Sequence, residues 1–96
     1  MFDLPVETAA ERRAYRKFVK LLKKLGFIMF QESIYVKLSI NESSVKATAK
    51  VIQNNVPDKG MVSMLTVTEK QFGSIDYMLG SFQTDIIDTD EKVIEL

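Results

Sequence analysis

The chain has no cysteine, no histidine and no tryptophan among its 96 residues. The absence of cysteine excludes disulfides, thiolate nucleophiles and zinc-thiolate sites. The absence of histidine excludes a serine-histidine-aspartate triad, a histidine-ligated metal and an imidazole general base. Any catalysis must therefore use carboxylates, lysine, tyrosine or a metal ion that accepts oxygen ligands.

Glycine and proline are scarce, with four and two copies, and no glycine-rich loop could cradle a phosphate group. No apolar run approaches the roughly 20 residues that a membrane span needs. The start of the sequence also lacks the pattern of a signal peptide. We therefore expect one cytoplasmic domain with a modest core, for which pairing with a second copy is favourable.

The clearest helical pattern lies between Pro5 and Gly26. At 100° per residue, the apolar side chains fall on one side of this helix and the basic side chains fall on the other. Thr8 and Glu11 have the spacing of a capping box, and Gly26 suits the left-handed residue that ends a helix. The basic face consists of Arg12, Arg13, Arg16, Lys17, Lys20, Lys23 and Lys24.

This basic face predicts a polyanionic partner such as nucleic acid. Like charges four residues apart, as in the pairs Arg12/Arg16 and Lys20/Lys24, repel each other and destabilise the helix. Two alternatives remain open: a solvated helix face, and neutralisation by the acidic tail. The whole chain balances 13 basic and 13 acidic residues, and the tail contains Asp85, Asp88, Asp90, Glu91 and Glu95 with Lys92 as its single basic residue.

Periodicity in the rest of the chain predicts an α+β domain. Residues 1–3 look like the end of a strand, and 27–30 with 34–40 predict one long strand with a bulge or bend between them. A helix capped by Asn41 is predicted over 42–54, a strand over 61–68, a capped turn over 68–72, a strand over 75–80 and a short terminal strand over 92–96.

This order fits the ferredoxin-like β-α-β-β-α-β plan, with two helices on one side of a four-stranded antiparallel sheet. Residues 1–80 form the predicted domain, and 81–96 form an acidic linker and an extra strand that docks a partner. We expect Tyr35, Leu65 and Tyr77 on the second face of the sheet, which would be too apolar for water. The chain is therefore predicted to form a homodimer packed sheet to sheet, with the terminal strand added to the partner's edge.

Asp3 is the predicted catalytic and metal-binding residue. It lies where the first strand ends, and a twofold axis at that rim would bring two copies of its carboxylate together. Mg²⁺ accepts one or two carboxylates plus water, and metal-bound water attacks phosphodiesters without help from histidine. A turn or cap role is the alternative for this aspartate. The first strand is shorter than the usual length of about five residues, so we expect further residues ahead of Met1.

Three stretches carry a family resemblance: Phe2-Asp3-Leu4-Pro5, the G-F-x-x-x-Q-x-S-I-Y pattern over residues 26–35, and T-E-K-Q-F over 68–72. They resemble the small CRISPR-associated Cas2 proteins found beside Cas9-type systems. The resemblance implies a ferredoxin-like homodimer that bridges dimers of the Cas1 integrase and holds double-stranded DNA for insertion as a new spacer. It implies, as an alternative, a Mg²⁺-dependent endonuclease acting on single-stranded RNA or double-stranded DNA, with Asp3 as the metal ligand.

The sequence shows no obvious second acidic ligand beside Asp3, so we favour scaffolding over independent catalysis and leave the enzymatic role open. A ferredoxin-like regulatory or toxin-like module unrelated to CRISPR is a third interpretation. A shortened first strand would loosen Asp3 and weaken the predicted metal site.

Overall fold

The computed structural model describes residues 1–80 and the backbone of residues 93–95. In chain order the elements are β1 (Phe2–Asp3), α1 (Ala9–Lys24), β2 (Ile28–Gln31), β3 (Ile34–Ser39), α2 (Glu42–Gln53), β4 (Met61–Val62), β5 (Thr66–Thr68), α3 (Glu69–Gly73) and β6 (Val93–Glu95). The described residues form an α+β fold, as predicted, and they contain three helices and small antiparallel sheets. The predicted linker over 81–91 lies outside the described residues, and so do residues 92 and 96 of the predicted terminal strand. None of the described helices is long and apolar enough to cross a membrane.

Both long helices begin where local capping chemistry predicts. At α1, the Thr8 hydroxyl accepts a hydrogen bond from the Glu11 N–H at 3.1 Å, and Glu11 Oε1 accepts one from the Thr8 N–H at 2.9 Å. At α2, Asn41 Oδ1 accepts a hydrogen bond from the Ser44 N–H at 2.9 Å. Gly26 has a φ of 100° after α1, so its predicted left-handed conformation is confirmed.

Strands β2 and β3 form a hairpin, which corrects the prediction of one long bent strand. Their register pairs Ile28 with Val36 and Gln31 with Ile34, and it shifts between Met29 and Gln31. The two-residue turn needs a positive φ, which Ser33 supplies at 65°. The alternation break seen in the sequence therefore marks a chain reversal.

The strand predicted over 61–68 is two strands in two sheets. Strand β4 pairs with β1, matching Phe2 with Val62 and Asp3 with Met61. Strand β5 belongs to the second sheet, whose order is β2-β3-β6-β5. Because β1 contributes only two residues, it pairs with only the first part of this stretch. The predicted four-stranded ferredoxin-like sheet is therefore not confirmed.

The terminal strand is present at β6, and its neighbours are β3 and β5 of the same chain. We had expected it to pair with the edge of a second copy. The strand predicted over 75–80 is wrong, because the described structure contains no strand there. Ile75 packs instead against a hydrophobic cluster, and the Tyr77 ring lies 6.2 Å from the Phe30 ring, so side-chain packing holds this segment.

Two hydrophobic clusters cover the two faces of β3. The first joins β1, both long helices and β3 through Phe2, Leu4, Phe18, Leu22, Phe27, Tyr35 and Ile52. The second joins Val36 to Phe72 of α3. The sequence predicted Tyr35 on the second face of the sheet, away from the two helices, and this is wrong because Tyr35 packs in the cluster that both long helices share. Alternation separates two faces of a strand, but it does not say which face each helix covers.

Gly60 lies where β4 meets β1, and its φ is 102°. A Cβ at this position would lie within 3 Å of the Asp3 carbonyl oxygen and the Leu4 side chain. We expect Gly60→Ala to lower the free energy of unfolding by about 1–3 kcal/mol, because both the conformation and the contact are unfavourable. Urea denaturation measures this change.

Gly73 provides the matched control for that substitution. A Cβ at Gly73 would meet nothing within 4 Å, and the residue ends α3. Gly73→Ala should leave stability unchanged or raise it by up to about 1 kcal/mol, because alanine restricts the unfolded chain. Equal losses for the two variants would contradict the role assigned to Gly60.

Candidate nucleic-acid interface

The basic face lies along the solvent side of α1. All seven of its side chains are exposed: Arg12, Arg13, Arg16, Lys17, Lys20, Lys23 and Lys24. The opposite side of the helix is fixed by burial of Phe18 and Leu22 in the first cluster. The structure therefore brings together every basic residue that the sequence predicted for this face.

Among residues 1–80, no carboxylate forms an ion pair with any of the seven basic side chains. A helix of 16 residues is about 24 Å long, and duplex DNA presents about 14 phosphates over that length. The face is therefore long enough to follow several phosphates of a nucleic-acid backbone. Its charges recognise phosphate in general, since lysine and arginine contacts to phosphate carry no sequence information.

Arg12 differs from the other six basic residues. Its Nη1 atom donates hydrogen bonds to the backbone carbonyl oxygens of Val6 and Glu7, at 3.2 Å and 2.9 Å. Within residues 1–80, it is the one member of the basic face whose side chain forms hydrogen bonds in the structure. The helical pattern in the sequence did not predict this return of the side chain to the backbone.

Asp3 is exposed and lies between two buried neighbours, Phe2 and Leu4. The backbone of Asp3 pairs with Met61, and Gly60 packs closely against its carbonyl oxygen. The carboxylate therefore points away from the first cluster, which contains Phe2 and Leu4 on the other side of the strand.

The fit of a metal ion to Asp3 depends on other ligands. Among the described residues, no group of three or more acidic, histidine or cysteine side chains could hold a metal ion. Mg²⁺ keeps several waters and needs only one or two carboxylates. Within the described residues, one chain therefore offers the single carboxylate of Asp3, which is the smallest number that a water-rich Mg²⁺ site needs.

A cavity of about 270 Å³ lies between the start of α1 and residues 57–59. Its lining includes Leu4, Pro5, Tyr15 and Lys59. Neither Asp3 nor any of the seven basic residues lines this cavity, so it belongs to neither predicted site.

Glu11 organises the start of α1 electrostatically. Its Oε1 atom accepts hydrogen bonds from the backbone N–H groups of Thr8 and Glu7, at 2.9 Å and 3.1 Å. The bond from Thr8 lowers the pKa of Glu11 most, and the bond from Glu7 and the charge of Lys59 lower it further. The capping-box spacing predicted the bond from Thr8, whereas the bond from Glu7 had no signal in the sequence.

A comparison with known protein families identifies the family of this chain. The sequence model of the family described as CRISPR associated protein Cas2 matches residues 1–75. The chain belongs to the Cas2 family. The match includes β1 with Asp3 and the whole of α1, so both predicted sites lie inside the family region.

Three relatives in the family match nearly the entire chain, and each is named CRISPR-associated endoribonuclease Cas2. The relative from Streptococcus mutans serotype c (strain NN2025) is 47% identical over 96 residues, which is 100% of this chain and 90% of the relative. The relative from Ligilactobacillus salivarius is 44% identical over 96 residues, covering 100% of this chain and 95% of the relative. The relative from Treponema denticola is 43% identical over 95 residues, covering 99% and 94%.

The lowered pKa of Glu11 predicts a pH-dependent contribution to stability of this Cas2 family member. The extra stability is complete above the ordinary pKa of 4.5 and is lost as the pH falls through the lower folded-state pKa. We therefore expect wild type to be more stable than Glu11→Gln at neutral pH, and the difference to shrink below pH 4.5. Urea midpoints across this pH range measure the difference.

Glu42→Gln is the control for this series, because Glu42 also lies in the first turn of its helix but Asn41 caps that helix. At neutral pH, Glu42→Gln should lower the urea midpoint less than Glu11→Gln does, because the Asn41 side chain and not Glu42 caps α2. A Glu11→Gln difference that stayed constant from neutral to acidic pH would contradict the assigned role of the carboxylate.

Proposed function

We propose that this chain is a CRISPR adaptation protein, a homodimeric adaptor that bridges Cas1 integrase dimers and holds spacer-precursor DNA. The observation that carries the proposal is the exposed basic face of α1, which has no ion-pair partner among residues 1–80. In a homodimer this face occurs twice. Two such faces hold a duplex through its phosphates without reading its sequence.

The strand arrangement supports a ferredoxin-like plan for this adaptor. In that plan β4 lies beside β1 and β3 lies beside β2, and both pairings are present. The Phe2 N–H donates a hydrogen bond to the Ser33 carbonyl oxygen at 3.0 Å, which connects β1 to the β2–β3 turn. Strands β4 and β5 belong to one stretch of chain, residues 61–68. Strand β1 pairs antiparallel with its first part, β4, and strand β6 pairs antiparallel with its last part, β5.

Exposed apolar side chains support pairing with a second copy. Met61 is 67% exposed in β4, and Leu65 is 47% exposed between β4 and β5. Met29 in β2 is 56% exposed. Burial of such side chains against a second copy would remove apolar area from water, at roughly 25 cal/mol for each Å².

A salt titration of duplex DNA binding tests the proposed interface. Each phosphate contact contributes about 0.9 to the slope of log affinity against log salt concentration. The double variant Arg16→Ala/Lys20→Ala should therefore lower the slope by up to about 1.8 and weaken binding at every sequence tested. Filter binding at several salt concentrations gives the slope.

The matched control is Lys46→Ala/Lys50→Ala, which removes two exposed positive charges from α2 and none from α1. This control should change the slope much less. Equal effects of the two double variants would count against α1 as the interface and would favour attraction by overall charge.

A Mg²⁺-dependent nuclease is the second candidate function, and the endoribonuclease names of the three relatives favour it. Asp3 from two copies would hold the ion, and bound Mg²⁺ would supply an activated water for phosphodiester hydrolysis. The chain's own residues would bind the nucleic acid through the basic face and orient the ion through Asp3.

Asp3→Asn tests the nuclease function. Replacing the carboxylate with an amide removes the charge that attracts Mg²⁺, so cleavage of single-stranded RNA should fall to the level seen without added Mg²⁺. Asp58→Asn is the control, since Asp58 is also exposed but lies in the loop after α2, and it should retain cleavage. Wild-type cleavage by Asp3→Asn would exclude Asp3 as the metal ligand.

A further inference from the structure

Two adjacent side chains at the start of α1 hold the backbone that precedes the helix. Glu11 accepts hydrogen bonds from the N–H groups of Glu7 and Thr8. Arg12 donates hydrogen bonds to the carbonyl oxygens of Val6 and Glu7. In the approach segment, residues 6–8, one turn of α1 therefore holds the N–H groups of Glu7 and Thr8 and the carbonyl groups of Val6 and Glu7.

The approach segment connects Asp3 to the basic face. Between them, Leu4 is buried in the first cluster and Pro5 has a fixed φ. Residues 6–8 are consequently the part of the backbone between Asp3 and α1 that has the most conformational freedom left. Fixing these residues adds a second restraint on the position of Asp3 relative to the cations of the helix, beside the packing of Phe2 against α1.

The hydrogen bonds of Arg12 also reduce its value as a phosphate contact. Both N–H groups of Nη1 are used by the bonds to Val6 and Glu7. The two carbonyl oxygens carry partial negative charge beside the guanidinium, so they offset part of the positive potential that a polyanion would meet. The other six basic side chains have no such neighbours shown within residues 1–80.

We propose that Arg12 is a positioning residue that holds the approach segment between Asp3 and α1, and that the other six basic residues make the phosphate contacts. The assignment of phosphate contacts rests on the proposed function. The hydrogen bonds by which Arg12 holds residues 6–8, called the clamp below, do not depend on the proposed function. The positioning role of Arg12 and the assignment of phosphate contacts can therefore fail separately.

Amide hydrogen exchange tests the clamp, with Arg12→Ala compared with Arg13→Ala. Both variants remove one positive charge and gain helix propensity, but only the first removes the clamp. We expect exchange at the N–H groups of Glu7 and Thr8 to become about three- to tenfold faster in Arg12→Ala, because the segment opens more often. Arg13→Ala should leave their exchange unchanged.

Arg12→Lys should restore most of this protection, because both bonds come from one terminal nitrogen and an ammonium group carries three donors. The urea midpoint should remain close to that of wild type in all three variants, which separates a local clamp from general destabilisation. Equal exchange rates at Glu7 and Thr8 in Arg12→Ala and Arg13→Ala would overturn the proposal.

The salt dependence of duplex DNA binding tests whether Arg12 differs from the other six basic residues in its contact with phosphate. Arg13→Ala should lower the slope by about 0.9, and Arg12→Ala should lower it by less than half as much. Equal reductions of the slope in the two variants would overturn the proposal that Arg12 makes no phosphate contact. If duplex binding is absent in wild type while the exchange contrast persists, the clamp is supported and the proposed function fails.

Discussion

The packing of the Phe2 ring is the interaction on which both predicted sites depend. The ring lies 5.4 Å from Phe18 and 5.8 Å from Tyr15, both on α1, and 5.8 Å from Tyr35 on β3. A buried aromatic group of this kind contributes both apolar area and oriented ring contacts. Because successive side chains of a strand alternate, burying Phe2 places the neighbouring Asp3 carboxylate in solvent.

The same cluster decides the direction of the basic face. Repulsion between like charges on α1 costs a few tenths of a kcal/mol for each pair. Burial of an apolar side chain such as Phe18 or Leu22 contributes about 1.5–3 kcal/mol. The free energy gained by burying these side chains therefore exceeds the cost of charge repulsion. The helix keeps all its basic residues on one face although they repel one another. The free energy that the cluster contributes is what keeps these like charges together on one exposed face of α1.

Local features of this fold were predictable from the sequence, and non-local ones were less so. Both capping residues, Thr8 and Asn41, act within three residues of themselves, so their patterns predicted the helix starts correctly. The division of 61–68 between two sheets depends on which strands are available to pair, and alternation does not specify this. For the same reason, the sequence separated the two faces of β3 but placed Tyr35 on the face away from the two long helices, whereas it packs in the cluster that they share. Asp3 and the basic residues were identified by type, while the clamp by Arg12 arises from a side-chain direction that periodicity does not encode.

The two candidate functions place different demands on this structure. Binding a phosphate backbone needs several cations on a rigid helix, and α1 holds them through a cluster that spans both long helices and β3. Metal-dependent cleavage needs the Asp3 carboxylate held to within about 0.5 Å, on a strand of two residues with one strand partner. Displacement of β1 would therefore abolish a metal site before it weakened the basic face. The adaptor function tolerates this local variation, and the nuclease function requires that Gly60, Phe2 and the approach segment all remain in place.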